Sequence, residues 1–181
     1  FNSARLNGID TLDAPVSGGD TGARKAALSI MVGGERKIFD KIEPLFRLMG
    51  TNIVYQGKAG SGQHAKMANQ IAIASTMLGV CEALSYAKKA GLDPQTVLSS
   101  IETGAAGSWT MSNLGPKMIE GNLEAGFYVK HFVKDLMIAE EESEKIKHTL
   151  PGLLLAKSLY EKLMSDKKDS LGTQALFTLF D

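Results

Sequence analysis

The chain has 181 residues, of which 44% are apolar and 22% are charged, and its 20 Lys and Arg residues balance its 20 Asp and Glu residues. This composition is typical of a globular protein with a buried core. The zero net charge gives no electrostatic support for nucleic acid or an anionic membrane as a partner. The single cysteine excludes an intrachain disulfide, and the three histidines lack metal-ligand spacing, so no metal site is predicted. We find no signal peptide and no apolar run long enough to span a bilayer, which favours a cytoplasmic protein.

The first third of the chain alternates predicted strands and helices. Strands are predicted at Thr11–Val16, Leu28–Gly34 and Thr51–Gly57, each rich in apolar residues and bounded by turn residues. Between the last two strands, apolar residues recur at helical spacing. This order predicts a short α/β segment, residues 1–58, at the trailing edge of a larger sheet.

The remainder, residues 59–181, has mostly helical periodicity. From Gln63 to Ala90 apolar residues cover most of the circumference of a proline-free helix, which predicts a long, buried central element. Its length of about 40 Å suggests that a second subunit covers part of it. Asp93 and Pro94 predict the cap and first turn of the next helix; Asn122–Phe132 is predicted to be irregular. The predicted fold class is mainly α: a C-terminal all-α domain with one long central helix, preceded by the short α/β segment.

The stretch DAPVSGG, residues 13–19, ends a predicted strand with a serine and two glycines. Ser17 offers a hydroxyl, and Gly18 and Gly19 offer backbone N–H groups with no side chains in front of them. Such a turn can bring the backbone close to a small anion. An ordinary tight turn after a strand has the same composition, so both interpretations stay open here.

The stretch GKAGSGQHAKMANQ, residues 57–70, is a glycine-rich loop that enters the long helix, but its spacing matches neither phosphate-loop motif. Lys66 is followed three and four residues later by Asn69 and Gln70, so the three side chains share one helix face. A cation near a helix N-terminus is disfavoured by the helix dipole, which indicates either a polar site or a solvated lysine. A lysine becomes a general acid or base when its pKa falls from about 10.4 toward neutrality.

A third stretch, FYVKHFVKDLMIAEE, places Lys134 and Asp135 at the predicted start of a helix. The residues before it mix aromatic and basic side chains, which either line a cleft or simply pack.

Together these three stretches resemble the β-hydroxyacid dehydrogenase family. DAPVSGGDTGARKAALSIMVGG is similar to the substrate-binding signature of that family, GSGQHAKMANQ is similar to its catalytic signature, and KDLMIA is similar to its cofactor-side signature. The three occur in the family's order over most of the chain. The reaction that the resemblance implies is hydride transfer between NAD or NADP and a short hydroxy acid or its semialdehyde.

The resemblance also implies individual roles. Lys66 would be the catalytic acid/base, protonating the nascent alkoxide in reduction and accepting the hydroxyl proton in oxidation. The implied substrate-binding residues are Ser17, Gly18, Gly19, Asn69, Gln70, Phe127 and Asp135. Within this set the Ser-Gly-Gly turn would bind the substrate carboxylate, and the division of labour between Asn69 and Gln70 stays open. Lys134 would contact the nicotinamide cofactor.

One departure from the family is large, because its N-terminal Rossmann motif G-x-G-x-x-G is absent here. Residues 1–58 would be the tail of that domain, and residues 59–181 would be a helical domain that forms a homodimer or homotetramer through the long helix. Phe1 is not a natural start, so we expect a preceding part to be missing and this chain alone to be inactive.

Two alternatives remain. A non-catalytic dimerisation or scaffold module of the same ancestry has no need of a lysine at position 66. A 6-phosphogluconate dehydrogenase-type enzyme needs more basic groups and a larger helical domain. The choice of substrate would depend on side-chain volumes around Phe127, Trp109 and Phe132.

Overall fold

The computed structural model describes residues 1–181, which form two compact units, Phe1–Asn69 and Gln70–Asp181. The first unit contains α1 (Asn2–Leu6), β1 (Leu12–Asp13), β2 (Val16–Ser17), α2 (Gly19–Arg24), β3 (Leu28–Gly34), α3 (Arg36–Phe46) and β4 (Gly50–Gly57). Helix α4 (Ser61–Lys89) begins in the first unit and continues into the second. The second unit also contains α5 (Pro94–Ile101), α6 (Trp109–Ile119), α7 (Val129–Lys145), α8 (Pro151–Ser165) and a 3₁₀ helix (Thr173–Leu179). The sequence-based boundary between residues 58 and 59 stays a prediction.

The sheet of the first unit is built around β3, which pairs in parallel with β4 and antiparallel with β1 and β2. Leu12 lies opposite Gly34 and Ser17 lies opposite Ser29, so β1 and β2 keep one register along β3. They are one edge strand that is interrupted near Pro15, which has no N–H to donate. The carbonyl of Pro15 still accepts a hydrogen bond from β3 at 3.0 Å. The strand therefore passes continuously from Leu12 to Ser17.

The first unit has a hydrophobic core of its own. Its buried members are Leu28, Ile30, Val32 and Phe39, and the partly buried residues packed against them are Leu12, Ala14, Phe46, Ile53 and Tyr55. The predicted fold class, mainly α with a short trailing α/β segment, is therefore wrong. The strands form a four-stranded sheet with a packed core, so the chain combines an α/β unit with a helical unit. The sequence showed isolated strands, and it could not show that an edge strand broken by proline joins them into a sheet.

The core of the second unit surrounds α4. The buried apolar residues that α4 contributes there are Ala74, Met77, Leu78, Val80, Cys81, Leu84 and Ala87. On α7 and α8, the rings of Phe132 and Tyr160 meet edge to face with centroids 4.9 Å apart. The Tyr160 hydroxyl donates to the carbonyl of Thr173 at 2.9 Å, which fixes the 3₁₀ helix to α8. Burial raises the pKa of the Cys81 thiol to about 12 and also raises the pKa of Tyr160.

One face of α4 is exposed and carries mostly small residues. These exposed residues are Ala68, Ala72, Ser75, Gly79, Glu82 and Tyr86. An 18-residue window of this helix has a mean hydropathy of 1.2, so α4 passes the length and composition test for a membrane span, contrary to the sequence analysis. A core helix passes the same test, and 39% of the window is buried. This property therefore supports no conclusion about a membrane.

Local signals predicted several elements correctly. Asp93 caps α5 by accepting a hydrogen bond from the N–H of Thr96 at 2.9 Å.

The segment Asn122–Phe132 is not irregular throughout, as was predicted, because α7 already begins at Val129. The N–H of Val129 donates to the carbonyl of Leu171 at 2.9 Å. Because of this tertiary contact, the helix begins earlier in the chain than the spacing of its apolar residues predicts. Asp135 therefore lies in the second turn of α7 rather than at its start.

Candidate active site

The Ser-Gly-Gly turn connects β2 to α2 in the first unit. Ser17 is half-buried at the end of β2, and Gly18 and Gly19 follow it with φ values of 127° and 61°. Glycine suits both positions, because a side chain is strained at positive φ. A Cβ at position 18 would also come within 3.2 Å of the Leu28 side chain, whereas nothing lies within 4 Å of a Cβ at position 19. The backbone at Gly19 is therefore open to a ligand.

The start of α4 is held by a carboxylate from the sheet. Asp13, on β1, accepts a hydrogen bond from the N–H of Gly60 through Oδ1 at 2.7 Å and from the N–H of Gln63 through Oδ2 at 3.0 Å. Gln63 lies in the first turn of α4, where backbone N–H groups have no intrahelical partner, and Gly60 immediately precedes that turn. The negative charge also suits the positive end of the helix dipole.

Two glycines enclose this carboxylate. A Cβ at Gly33 would lie 2.6 Å from both carboxylate oxygens of Asp13, and a Cβ at Gly62 would lie 2.8 Å from Oδ2. A Cβ at Gly62 would also overlap the carbonyl oxygen of Met31. The site thus has room for a carboxylate and for no further side chain. Asp13 was not among the residues predicted to be functional, although an acidic residue inside a predicted strand was a usable signal.

Lys66 lies three residues beyond Gln63 on α4, in the second turn of the helix that Asp13 caps. Lys66 and Asn69 are half-buried, and their spacing places them on one face of the helix. The structure therefore brings the predicted acid/base and the predicted substrate amide to the capped end of α4. Their roles stay predictions.

The remaining polar candidates meet in the second unit. Gln70 is 2% exposed, and its Nε2 donates to Oδ2 of Asp135, which is 8% exposed, at 2.6 Å. The ammonium group of Lys134 lies 2.9 Å from Oδ1 of Asp135, and the Lys134 side chain is largely exposed. Asp135 therefore links α4 to α7, and it orients the cation at position 134.

The aromatic candidates are placed separately. The Phe127 ring packs against the Phe132 ring with centroids 5.9 Å apart, and Phe127 keeps 38% of its surface exposed. Phe132 is fully buried and packs against the buried side of the Phe127 ring. Trp109, at the start of α6, is 70% exposed.

The loop that carries Phe127 is held by a residue that the sequence analysis did not identify. Gln174 is 1% exposed, and its amide donates to the carbonyls of Asn122 and Glu124 at 3.1 and 2.9 Å. The N–H of Thr173 donates to the carbonyl of Phe127 at 3.0 Å. No local pattern reveals these contacts, because the partners are about 50 residues apart.

Two family models match the chain. Residues 60–180 match the model for NAD-binding of NADP-dependent 3-hydroxyisobutyrate dehydrogenase, and residues 1–57 match the model for the NAD binding domain of 6-phosphogluconate dehydrogenase. The second match shows that a Rossmann-type fold is present, which again corrects the predicted fold class.

Similar individual proteins include named oxidoreductases and dehydrogenases, in agreement with the family models. The chain is 58% identical to the uncharacterized oxidoreductase YkwC of Bacillus subtilis over 98% of this chain and 62% of that protein. It is 50% identical to the probable 3-hydroxyisobutyrate dehydrogenase-like 1, mitochondrial, of Arabidopsis thaliana over 96% of this chain and 52% of that protein. The solved structure of the 3-hydroxyisobutyrate dehydrogenase of Mycobacterium tuberculosis with L-serine superposes with a TM-score of 0.91 at 30% identity, covering 98% of this chain and 63% of that one.

The fold and these matches define a dehydrogenase-type architecture, with a Rossmann-type region followed by a helical region. The chain belongs to the β-hydroxyacid dehydrogenase family, as its three motifs suggested. It spans between about half and two thirds of the length of these relatives.

Proposed function

We propose that the protein containing this chain is an NAD(P)-dependent oxidoreductase that transfers a hydride between the cofactor and a small β-hydroxy acid or its semialdehyde. One observation carries the proposal: Lys66 stands on the helix that Asp13 caps, and Asp13 lies on the same edge strand as Ser17. A candidate acid/base and a candidate carboxylate-binding turn are thereby tied to one strand.

In this proposal Ser17, Gly18 and Gly19 bind the substrate carboxylate through one hydroxyl and two backbone N–H groups. Asn69, on the same helix face as Lys66, hydrogen-bonds the substrate, with Gln70 as the alternative. Lys66 gives a proton to the nascent alkoxide in reduction and takes it from the hydroxyl in oxidation. Binding at two points orients the reacting carbon toward the lysine.

The proposed cofactor is NAD or NADP, which supplies or takes the hydride when bound. Within residues 1–181 the group that fits a nicotinamide dinucleotide is Lys134, whose exposed ammonium group suits an anionic ligand. Phe127, half-exposed on its anchored loop, and Asp135 are further proposed substrate-binding residues. The names of the relatives, which include 3-hydroxyisobutyrate and L-serine, support a short substrate that bears a carboxylate.

The test uses the natural full-length polypeptide that contains residues 1–181. NADH and NADPH oxidation is followed with glyoxylate and with succinic, methylmalonic and tartronate semialdehydes, and the reverse reaction with 3-hydroxyisobutyrate and L-serine. We expect turnover with at least one of these short substrates and a preference for one cofactor. Absence of turnover with the whole panel would contradict the proposal and favour the scaffold alternative.

We also propose that the protein is cytoplasmic and forms a homodimer or homotetramer whose subunit interface includes α4. Apart from other copies of the same chain, its proposed partners are small molecules only. The exposed face of small residues on α4 supports close approach of a second helix. Ala72→Arg is expected to convert the assembly to monomers in analytical ultracentrifugation, because the long side chain holds the helices apart. Glu120→Arg, on an exposed position of α6's end, is the control that leaves the assembly unchanged. A monomeric wild type would contradict the proposed assembly, and recovery of the protein in the membrane fraction of cells would contradict the proposed cytoplasmic location.

A further inference from the structure

The side-chain cap of α4 differs in kind from the side-chain caps of α5 and α6. α5 and α6 are capped by their own preceding residues, Asp93 and Ser108, each of which accepts from a backbone N–H three residues on. α4 follows Gly60, which has no side chain, and its cap comes from Asp13, 47 and 50 residues away in sequence from the two donors. A local cap stabilises a helix wherever the helix lies, whereas a cap from the sheet also fixes where the helix begins.

The carboxylate that forms this cap has little freedom to move. Gly33 and Gly62 enclose it closely enough that a methyl group on either would collide with it. Gly33 is also the register partner of Asp13 on β3, so the strand pairing itself sets the position of the carboxylate. Both oxygens have a defined N–H partner, and the position of the first turn of α4 follows from that of the strand.

The paths from Asp13 to the two proposed functional groups are short and regular. Ser17 is four residues along the same register, about 13 Å at strand spacing. Lys66 is three residues beyond Gln63, about 4.5 Å along the helix. Neither path contains a flexible loop.

We propose that Asp13 is a positioning residue for Lys66: it sets the lysine's place relative to the Ser17–Gly19 turn. This proposal rests on the proposed function. Asp13 takes no part in proton transfer itself, so its effect on turnover is through the position of Lys66. A misplacement of about 1 Å in a reacting group lowers turnover by up to about 10²-fold.

Two variants separate position from charge. Asp13→Asn keeps one carbonyl acceptor but turns an NH₂ group toward the other N–H donor, so one contact is lost. Asp13→Glu keeps the charge but adds a methylene that the space between Gly33 and Gly62 does not admit. We expect both to lower kcat by about 10- to 100-fold, with KM within about threefold. An electrostatic role would instead leave Asp13→Glu close to the wild type.

Asp93→Asn is the matched control, since it weakens a helix cap on α5, where no proposed functional residue lies. Hydrogen bonds from the Thr96 side chain and backbone hold the pKa of Asp93 below its usual range, so the control also removes an ionised carboxylate at neutral pH. We expect this variant to lose some thermal stability and to keep the wild-type kcat.

The experiment measures kcat, KM and amide hydrogen exchange over residues 60–66 in the full-length protein and its variants. Faster exchange in that segment together with lower kcat in both Asp13 variants, but not in Asp93→Asn, supports the proposal. Unchanged exchange there, or a kcat within twofold of wild type while Lys66→Met is inactive, overturns it. Wild-type turnover that is indifferent to Lys66→Met is a different result, because it removes the proposed function itself and with it the geometric role of Asp13.

Discussion

Replacing Lys66 with methionine is expected to lower kcat by about 10²–10⁴-fold, the range that general acid–base catalysis contributes, and to change KM much less. Methionine has nearly the same length and helix propensity as lysine, so α4 keeps its helical structure. The loss then reports the missing ammonium group. Steady-state kinetics in both directions, with thermal unfolding of each variant, measures this effect.

Two further variants define what Lys66 does. Lys66→Arg keeps the positive charge, but a guanidinium does not release its proton near neutral pH, so we expect it to be almost as inactive as Lys66→Met. Lys89→Met makes the same change at the exposed far end of the same helix and is expected to leave kcat unchanged. Substantial activity in Lys66→Arg would show that the lysine binds an anion instead of moving a proton.

The acid/base role also fixes the sign of the pH dependence. In reduction Lys66 must be protonated, so kcat is expected to fall toward high pH. In oxidation it must be neutral, so kcat is expected to rise toward high pH. In pH profiles of the residual activity of Lys66→Met, both the fall of kcat in reduction and the rise of kcat in oxidation should be absent.

The elements that the sequence predicted well are those with local signals. Strand Leu28–Gly34 is confirmed because its apolar run ends in two glycines, and the start of α5 is confirmed because Asp93 and Pro94 supply the cap and first turn. The family was likewise identifiable, because its signatures are short contiguous stretches. Each of these signals involves residues within a few positions of one another.

The features that the sequence did not reveal depend on distant partners. Asp13 stands 47 residues before the N–H of Gly60 that it binds, and Gln174 stands about 50 residues after the loop that it holds. The fold class was wrong for the same reason, since the pairing of the broken edge strand with β3 joins segments that look separate in sequence. Secondary-structure periodicity carries no information on such contacts.

Gly62→Ala is expected to lower the free energy of unfolding by roughly 1–3 kcal/mol, the range of overpacking in a filled site, and to lower kcat as well. Glycine to alanine inside a helix normally stabilises a protein by about 0.5–1 kcal/mol, so the expected sign is reversed. The reversal arises because the new methyl group would overlap the carbonyl oxygen of Met31 and lie 2.8 Å from Oδ2 of Asp13. A backbone carbonyl cannot rotate out of the way, so the first turn of α4 must shift. Urea unfolding and steady-state kinetics measure the two effects.

The control is Gly104→Ala, at a position without a positive φ where the nearest atom to a new Cβ is 3.7 Å away. There we expect unchanged or slightly higher stability, because alanine restricts the unfolded chain. If Gly62→Ala acts partly by displacing the Asp13 carboxylate, its effect on kcat should be smaller once Asp13 has been replaced by asparagine. Fully additive effects on kcat in the double variant would mean that the two residues influence Lys66 independently. Non-additive effects would show that α4 is placed through one shared contact between the strand and the helix.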